Sequence, residues 1–166
     1  MGERAAEKAA LVCRTSAPEE TEKLGAVLGS LAKAGDVICL YGPLGAGKTV
    51  LARGIGRGLG VAARITSPTF TLIHEHQGRL PFYHADAYRL ASAQDFLDVG
   101  GDEYLDGDGV TVIEWAENVA AALPAERLDV YLSPGNGEDR LLCFSPRGER
   151  YRQLVEELKR LVRAGH

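Results

Sequence analysis

The chain has 166 residues, 45% of them hydrophobic and 25% charged, the profile of one soluble globular domain spanning residues 1–166. Its 19 Lys and Arg against 23 Asp and Glu leave a formal net charge of −4, which excludes a protein that grips DNA through a broad basic surface. No apolar run approaches the roughly 18 residues of a membrane span, and the start MGERAAEKAA carries acids where a signal peptide needs an apolar stretch, so a cytoplasmic protein with no membrane partner is expected.

In chain order, residues 10–14 (ALVCR) read as a short strand ended by Thr15 and Ser16. Ser16 is the expected N-cap of a helix with Pro18 and the acids Glu19, Glu20 and Glu22 in its first turns. Leu24, Val27, Leu28 and Leu31 give that helix one apolar face, and Gly35 stops it. Residues 36–41 (DVICLY) are a continuous apolar run, the signature of a strand covered on both faces. A glycine-rich turn follows, and then a helix through Leu59 whose apolar positions include Val50, Leu51 and Ile55. Residues 70–76 and 80–86, joined by Gln77, Gly78 and Arg79, predict a β-hairpin, and so a mixed sheet. Ser92 to Val99 is a short helix halted by Gly100 and Gly101, and 110–115 (VTVIEW) is another buried strand. A helix from Ala116 to Leu123, strands at 128–133 and 141–145, and an amphipathic helix from Tyr151 to Ala164 complete the chain, the last with Leu154, Leu158, Leu161 and Val162 inward. Alternation of this kind predicts an α/β layered domain. Cys13, Cys39 and Cys143 are far apart and each sits in an apolar segment, so they read as buried free thiols.

The segment Gly42 to Thr49, G-P-L-G-A-G-K-T, fits the P-loop pattern G-x-x-x-x-G-K-[ST] between a buried strand and an amphipathic helix. Gly42, Gly45 and Gly47 allow successive N–H groups to turn inward around a phosphate. Lys48 can reach the β- and γ-phosphates, and Thr49 puts a hydroxyl where a bridging Mg2+ ion needs a ligand. The start of the helix adds partial positive charge beneath them. Together, Gly42, Pro43, Leu44, Gly45, Ala46, Gly47, Lys48, Thr49 and Val50 form the expected nucleotide cradle. Hydrolysis further needs a carboxylate at the end of a strand beside the P-loop strand; both Glu114, ending VTVIE, and Asp86, ending LPFYHAD, meet that description. No Asn-Lys-x-Asp sequence supports guanine, so ATP is the expected nucleotide.

Beyond the P-loop, four more blocks stand in order: T-S-P-T-F-T-L (Thr66 to Leu72), Y-H-A-D-A-Y-R-L (Tyr83 to Leu90), G-G-D-E-Y-L (Gly100 to Leu105) and V-I-E-W (Val112 to Trp115). Over about residues 15–133 this arrangement resembles the TsaE (YjeE) family. The resemblance implies a three-layer P-loop NTPase-like fold. It also implies an ATPase needed for threonylcarbamoyladenosine formation in tRNAs that read ANN codons. Such a protein acts with the complex of TsaB and TsaD, touches tRNA only indirectly, and resets that complex by hydrolysing ATP. Carried over by motif, Thr49 and Glu114 look like the magnesium ligands and Asp86 like the acid that handles water, with the latter two exchangeable. Ser67, Pro68 and Thr69 resemble a switch loop facing the γ-phosphate. Trp115 would lie near the nucleotide, and Thr21 toward the adenine. The family more often has Asp where Pro43 stands and Leu or Val where Ala87 stands; neither position has to supply a side-chain ligand.

Three other readings compete. His74, His76, His84 and Asp86 on one hairpin invite a zinc hydrolase. A P-loop small-molecule kinase fits the length, but the scattered Arg53, Arg57, Arg64, Arg79 and Arg89 supply no lid. A nucleotide-gated binding module would use the γ-phosphate to order a partner-facing surface. The basic cluster Arg147, Arg150, Arg152, Lys159, Arg160 and Arg163 alternates with acids and reads as a solvated face.

Overall fold

The computed structural model describes residues 5, 8–65 and 72–163. Among the described residues, seven extended segments, most of them rich in β-branched, aromatic and leucine side chains, pair into one sheet: β1 (Leu11–Thr15), β2 (Val37–Tyr41), β3 (Ile73–Gln77), β4 (Pro81–Asp86), β5 (Val110–Glu114), β6 (Arg127–Pro134) and β7 (Arg140–Arg147). Their spatial order is β1-β7-β6-β2-β5-β4-β3. The four central strands β6, β2, β5 and β4 run parallel; β3, β7 and β1 join antiparallel at the two sides. The expected hairpin is the β3–β4 pair, and the sheet is mixed for that reason and because of β7.

Among the described residues, helices α1 (Pro18–Leu31), α2 (Lys48–Gly58), α3 (Ala93–Asp98), α4 (Gly101–Leu105) and α5 (Glu149–Arg163) cover the sheet. Side chains alternate across β2, and all five of its residues are buried. Ile38 and Leu40 enter a core with Leu28 of α1, Leu51 and Ile55 of α2, and Leu154 and Leu158 of α5. Val37, Cys39 and Tyr41 enter a second core with Phe96 of α3, Ile113 and Val119. Each large aliphatic side chain in these layers contributes about 1.5–3 kcal/mol by leaving water. The result is the three-layer α/β arrangement of P-loop NTPases. All three cysteines are buried and unpaired.

α1 and α2 approach more closely than side chains would allow. A Cβ on Gly29 would overlap the Ile55 carbonyl, and one on Gly54 the Glu22 carbonyl. The helix that begins at the P-loop is therefore seated backbone-to-backbone on its neighbour.

Several local expectations are corrected. The N-cap of α1 is Ala17, with no side-chain cap. Ser16 instead donates its N–H to Glu20 Oε1 at 2.9 Å and its hydroxyl to the same carboxylate, so the acid reaches back rather than the serine forward. Only Gly100 takes the left-handed turn (φ 84°); Gly101 opens α4, packed so tightly on the Phe96 ring that a Cβ would collide with it. The segment after β5 is a 3-10 stretch, Ala116–Ala122, kinked at Val119. In α5, Leu161 is only half-buried, while Tyr151 and Val155 point inward. No helix among the described residues is long and apolar enough to cross a membrane.

Candidate functional site

Parallel pairing puts the carboxyl ends of β2, β5 and β4 side by side, the place where open α/β sheets bind ligands. β2 ends at Tyr41 and the chain turns through Gly42 (φ 147°), Gly45 (φ 77°) and Gly47 (φ 100°). Leu51 N–H then bonds to the Gly47 carbonyl at 2.9 Å, so α2 starts at once. Lys48 and Thr49 are consequently the first two residues of a helix aimed at the cleft.

In the register of β5, Glu114 lies opposite Leu40 on one side and Asp86 on the other. The Thr49 hydroxyl donates to Glu114 Oε1 at 2.9 Å, with Oε2 at 3.1 Å. Glu114 is only 3% exposed, and His84 Nε2 lies 2.6 Å from its Oε2. Asp86 ends the next strand and accepts the Tyr88 N–H at 3.0 Å. A hydroxyl and a carboxylate this close, with a second carboxylate one strand away, form a hard-oxygen donor set that suits Mg2+ bridging phosphates.

Lys48 is buried, and its ammonium donates to the carbonyls of Gly42 and, at 3.0 Å, Pro43. It also sits 3.8 Å from the centre of the Trp115 ring, within cation–π range. Burial pulls its pKa below the usual lysine value, while Glu114, Glu117 and Asp86 push the other way. Trp115 takes a left-handed backbone (φ 58°, ψ 42°) and is alone among the described non-glycine residues in doing so. Such a conformation costs energy and recurs at binding sites. Its ring packs against Tyr88 at 4.9 Å between centroids.

A cleft of about 310 Å³ opens here. Of the expected site residues, Thr21, Leu44, Gly45, Ala46, Gly47, Lys48, Thr49, Val50, Asp86, Glu114 and Trp115 line it. Gly42 and Pro43 do not; their carbonyls hold Lys48. The Thr21 hydroxyl is 2.7 Å from that of Thr15. Ser67, Pro68 and Thr69 lie outside the described residues.

Pro18, Tyr88, Glu138 and Arg140 also line the cleft, and sequence reasoning passed over them. Arg140 donates to the Gly45 carbonyl at 3.0 Å and to the carbonyls of Gly137 and Asp139, tying the β6–β7 turn to the P-loop. Tyr88 stood in the motif next to Asp86 and could have been found; nothing local marked Arg140.

The zinc reading gains no support from the hairpin. His84 is turned to Glu114, and among the described residues no three His, Cys, Asp or Glu side chains converge on a metal position. Four members of the basic cluster are held in ion pairs. Arg147 bonds to buried Asp129, Arg150 to Asp36, Arg152 to Glu149 and Lys159 to Glu156.

The family model described as "Threonylcarbamoyl adenosine biosynthesis protein TsaE" matches residues 15–142. The tRNA threonylcarbamoyladenosine biosynthesis protein TsaE of Bacillus subtilis is 43% identical over 148 residues, covering 89% of this chain and 92% of its own length. That of Treponema pallidum is 46% identical over 129 residues, covering 76% and 96%. The crystal structure of Bacillus subtilis YdiB superposes with a TM-score of 0.77 at 42% identity, covering 90% of this chain and 94% of that one.

Proposed function

Because this chain belongs to the TsaE family of threonylcarbamoyl adenosine biosynthesis proteins, we propose that it is a Mg2+-dependent ATPase serving threonylcarbamoyladenosine modification of ANN-reading tRNAs. In this reading it acts in the cytoplasm as one domain, binds the complex of TsaB and TsaD, and uses ATP hydrolysis to reset that complex between turnovers. The observation that carries it is the Thr49 hydroxyl held on the Glu114 carboxylate at the tip of the strand beside the P-loop strand.

The roles follow from position. The turning amides of Gly42 to Thr49 and the start of α2 receive the β- and γ-phosphates. Lys48 exchanges the Gly42 and Pro43 carbonyls for phosphate oxygens, moving a short distance and gaining a full counter-charge. Thr49 and Glu114 would hold Mg2+, which when bound neutralises charge building on the β- and γ-oxygens. Asp86, at the tip of β4 opposite Glu114, would be the carboxylate that orients a water and takes its proton. Trp115, Tyr88 and Thr21 line the same cleft and would contact the bound nucleotide.

The test is ATP turnover by the purified chain with and without TsaB–TsaD from the same source. Stimulation by the complex is expected. Lys48→Ala should weaken nucleotide binding about 10–100-fold, the worth of a charge-assisted hydrogen bond, while Asp86→Ala should bind normally and turn over poorly. An ATPase rate indifferent to the complex, or a metabolite phosphorylated in step with ATP loss, would overturn the reading.

A further inference from the structure

His84 belongs to the Y-H-A-D block, yet nothing in the reading above uses it. Its side chain is fully buried on β4, stacked near the Phe82 ring. Nε2 lies 2.6 Å from Glu114 Oε2, and among the described residues Nδ1 has no hydrogen-bond partner. Those two facts fix the tautomer. An ionised carboxylate only accepts, so Nε2 must carry the proton. A proton on Nδ1 would be a buried donor with nothing to receive it, the costly state for a polar group.

Glu114 is therefore gripped from two sides. Thr49 donates to its oxygens from the start of α2, and His84 donates to Oε2 from the neighbouring strand. A carboxylate at a strand tip rotates among several positions unless something pins it. Here the pin is a rigid ring on a strand in register with β5, His84 lying opposite Val112.

We propose that His84 is the positioning residue of Glu114, donating from Nε2 to Oε2 so that the carboxylate is preset for a divalent cation beside Thr49. This inference rests on the nucleotide–magnesium reading of the cleft. Groups that orient a metal-binding carboxylate act on metal affinity rather than on the rest of the ligand. The predicted signature is thus selective: the gain in nucleotide affinity that Mg2+ provides should shrink, while the magnesium-free affinity should not.

The experiment measures binding of a non-hydrolysable ATP analogue to the full chain, with Mg2+ and with EDTA. His84→Leu should raise the Mg2+ concentration needed for half-maximal enhancement about 10–100-fold and leave the EDTA affinity within about twofold. His84→Gln, which keeps an amide donor, should recover part of the loss. Unchanged Mg2+ dependence in His84→Leu would overturn the inference. So would an equal loss with and without Mg2+, since that marks a merely structural side chain. Should His84→Leu not fold, 15N shifts of the wild-type histidines at pH 7 decide, with His84 identified by its absence in His84→Gln. A proton on Nε2 supports the assignment and a proton on Nδ1 refutes it. If the wild type binds no nucleotide, the functional reading has failed, and the tautomer measurement still judges the His84–Glu114 pairing by itself.

Discussion

At the scale of single residues, the site and the scaffold use charge in opposite ways. Asp129 is fully buried, and it accepts from Arg127 at 2.9 Å, Arg147 at 2.6 Å and the Tyr41 hydroxyl at 2.9 Å. Its charge is spent inside the fold, in part on Tyr41, the residue just before the P-loop. Asp129→Ala strips the shared acceptor from two cations and a phenol, and should lower the free energy of unfolding by about 3–5 kcal/mol in a denaturant titration. Arg140 instead spans scaffold and site through the Gly45 carbonyl. Arg140→Ala should weaken nucleotide binding about 3–10-fold, the value of one or two ordinary hydrogen bonds, measured by calorimetry, with little change in unfolding. The sequence exposes these residues unequally. Lys48 and Thr49 are legible because the motif that marks them is one continuous stretch, Gly42 to Thr49. Glu114 and Asp86 are legible as strand tips, but which one Thr49 meets depends on sheet order. Arg140 is invisible for a plainer reason: it reaches Gly45 only through the register of a distant hairpin.

At the scale of elements, α1 and α2 meet backbone to backbone. Periodicity marked both helices correctly, since Leu24, Leu28, Leu51 and Ile55 recur at helical spacing and are all buried. It could not show that glycines on the two facing sides let the backbones touch, because a missing side chain leaves no hydrophobic signal. Gly29→Ala drives a methyl into the Ile55 carbonyl and should cost about 1–3 kcal/mol by overpacking, read as a lowered Tm. Lys23→Ala on the exposed side of α1 should stay within about 0.5 kcal/mol. The second short helix, α4, escaped sequence reasoning because Gly-Gly reads as a stop, whereas one glycine turns the chain and the next begins a helix against Phe96. The Ser16 cap failed similarly: a serine before a proline is a good cap by composition, but the reach of Glu20 took its place.

Across the whole molecule, four parallel strands aim their carboxyl ends at one cleft, and three of them deliver the P-loop, Glu114 and Asp86 in a row. The layered α/β class was readable from alternation of elements; the order of the strands was not, because it is set by how whole faces pack. The same packing buries the thiols. Burial pushes Cys13 up to about 11, and Cys39 and Cys143 upward as well. A folded-state pKa above the unfolded value of about 9 means the folded chain holds its protons longer. For Cys13 the stabilising contribution is full below pH 9 and lost as pH climbs through 11, so unfolding followed against pH in wild type and Cys13→Ala should differ by a decline in that alkaline window. The chain has one tryptophan, and Trp115 lies under the Lys48 ammonium, so its emission reports on that lysine. Titration with Mg2+ and a non-hydrolysable ATP analogue should give saturable one-to-one heat of binding with a parallel change in Trp115 fluorescence, both shifted to about 10–100-fold higher nucleotide concentration in Lys48→Ala. No saturable binding, or binding unchanged in Lys48→Ala, would contradict the account.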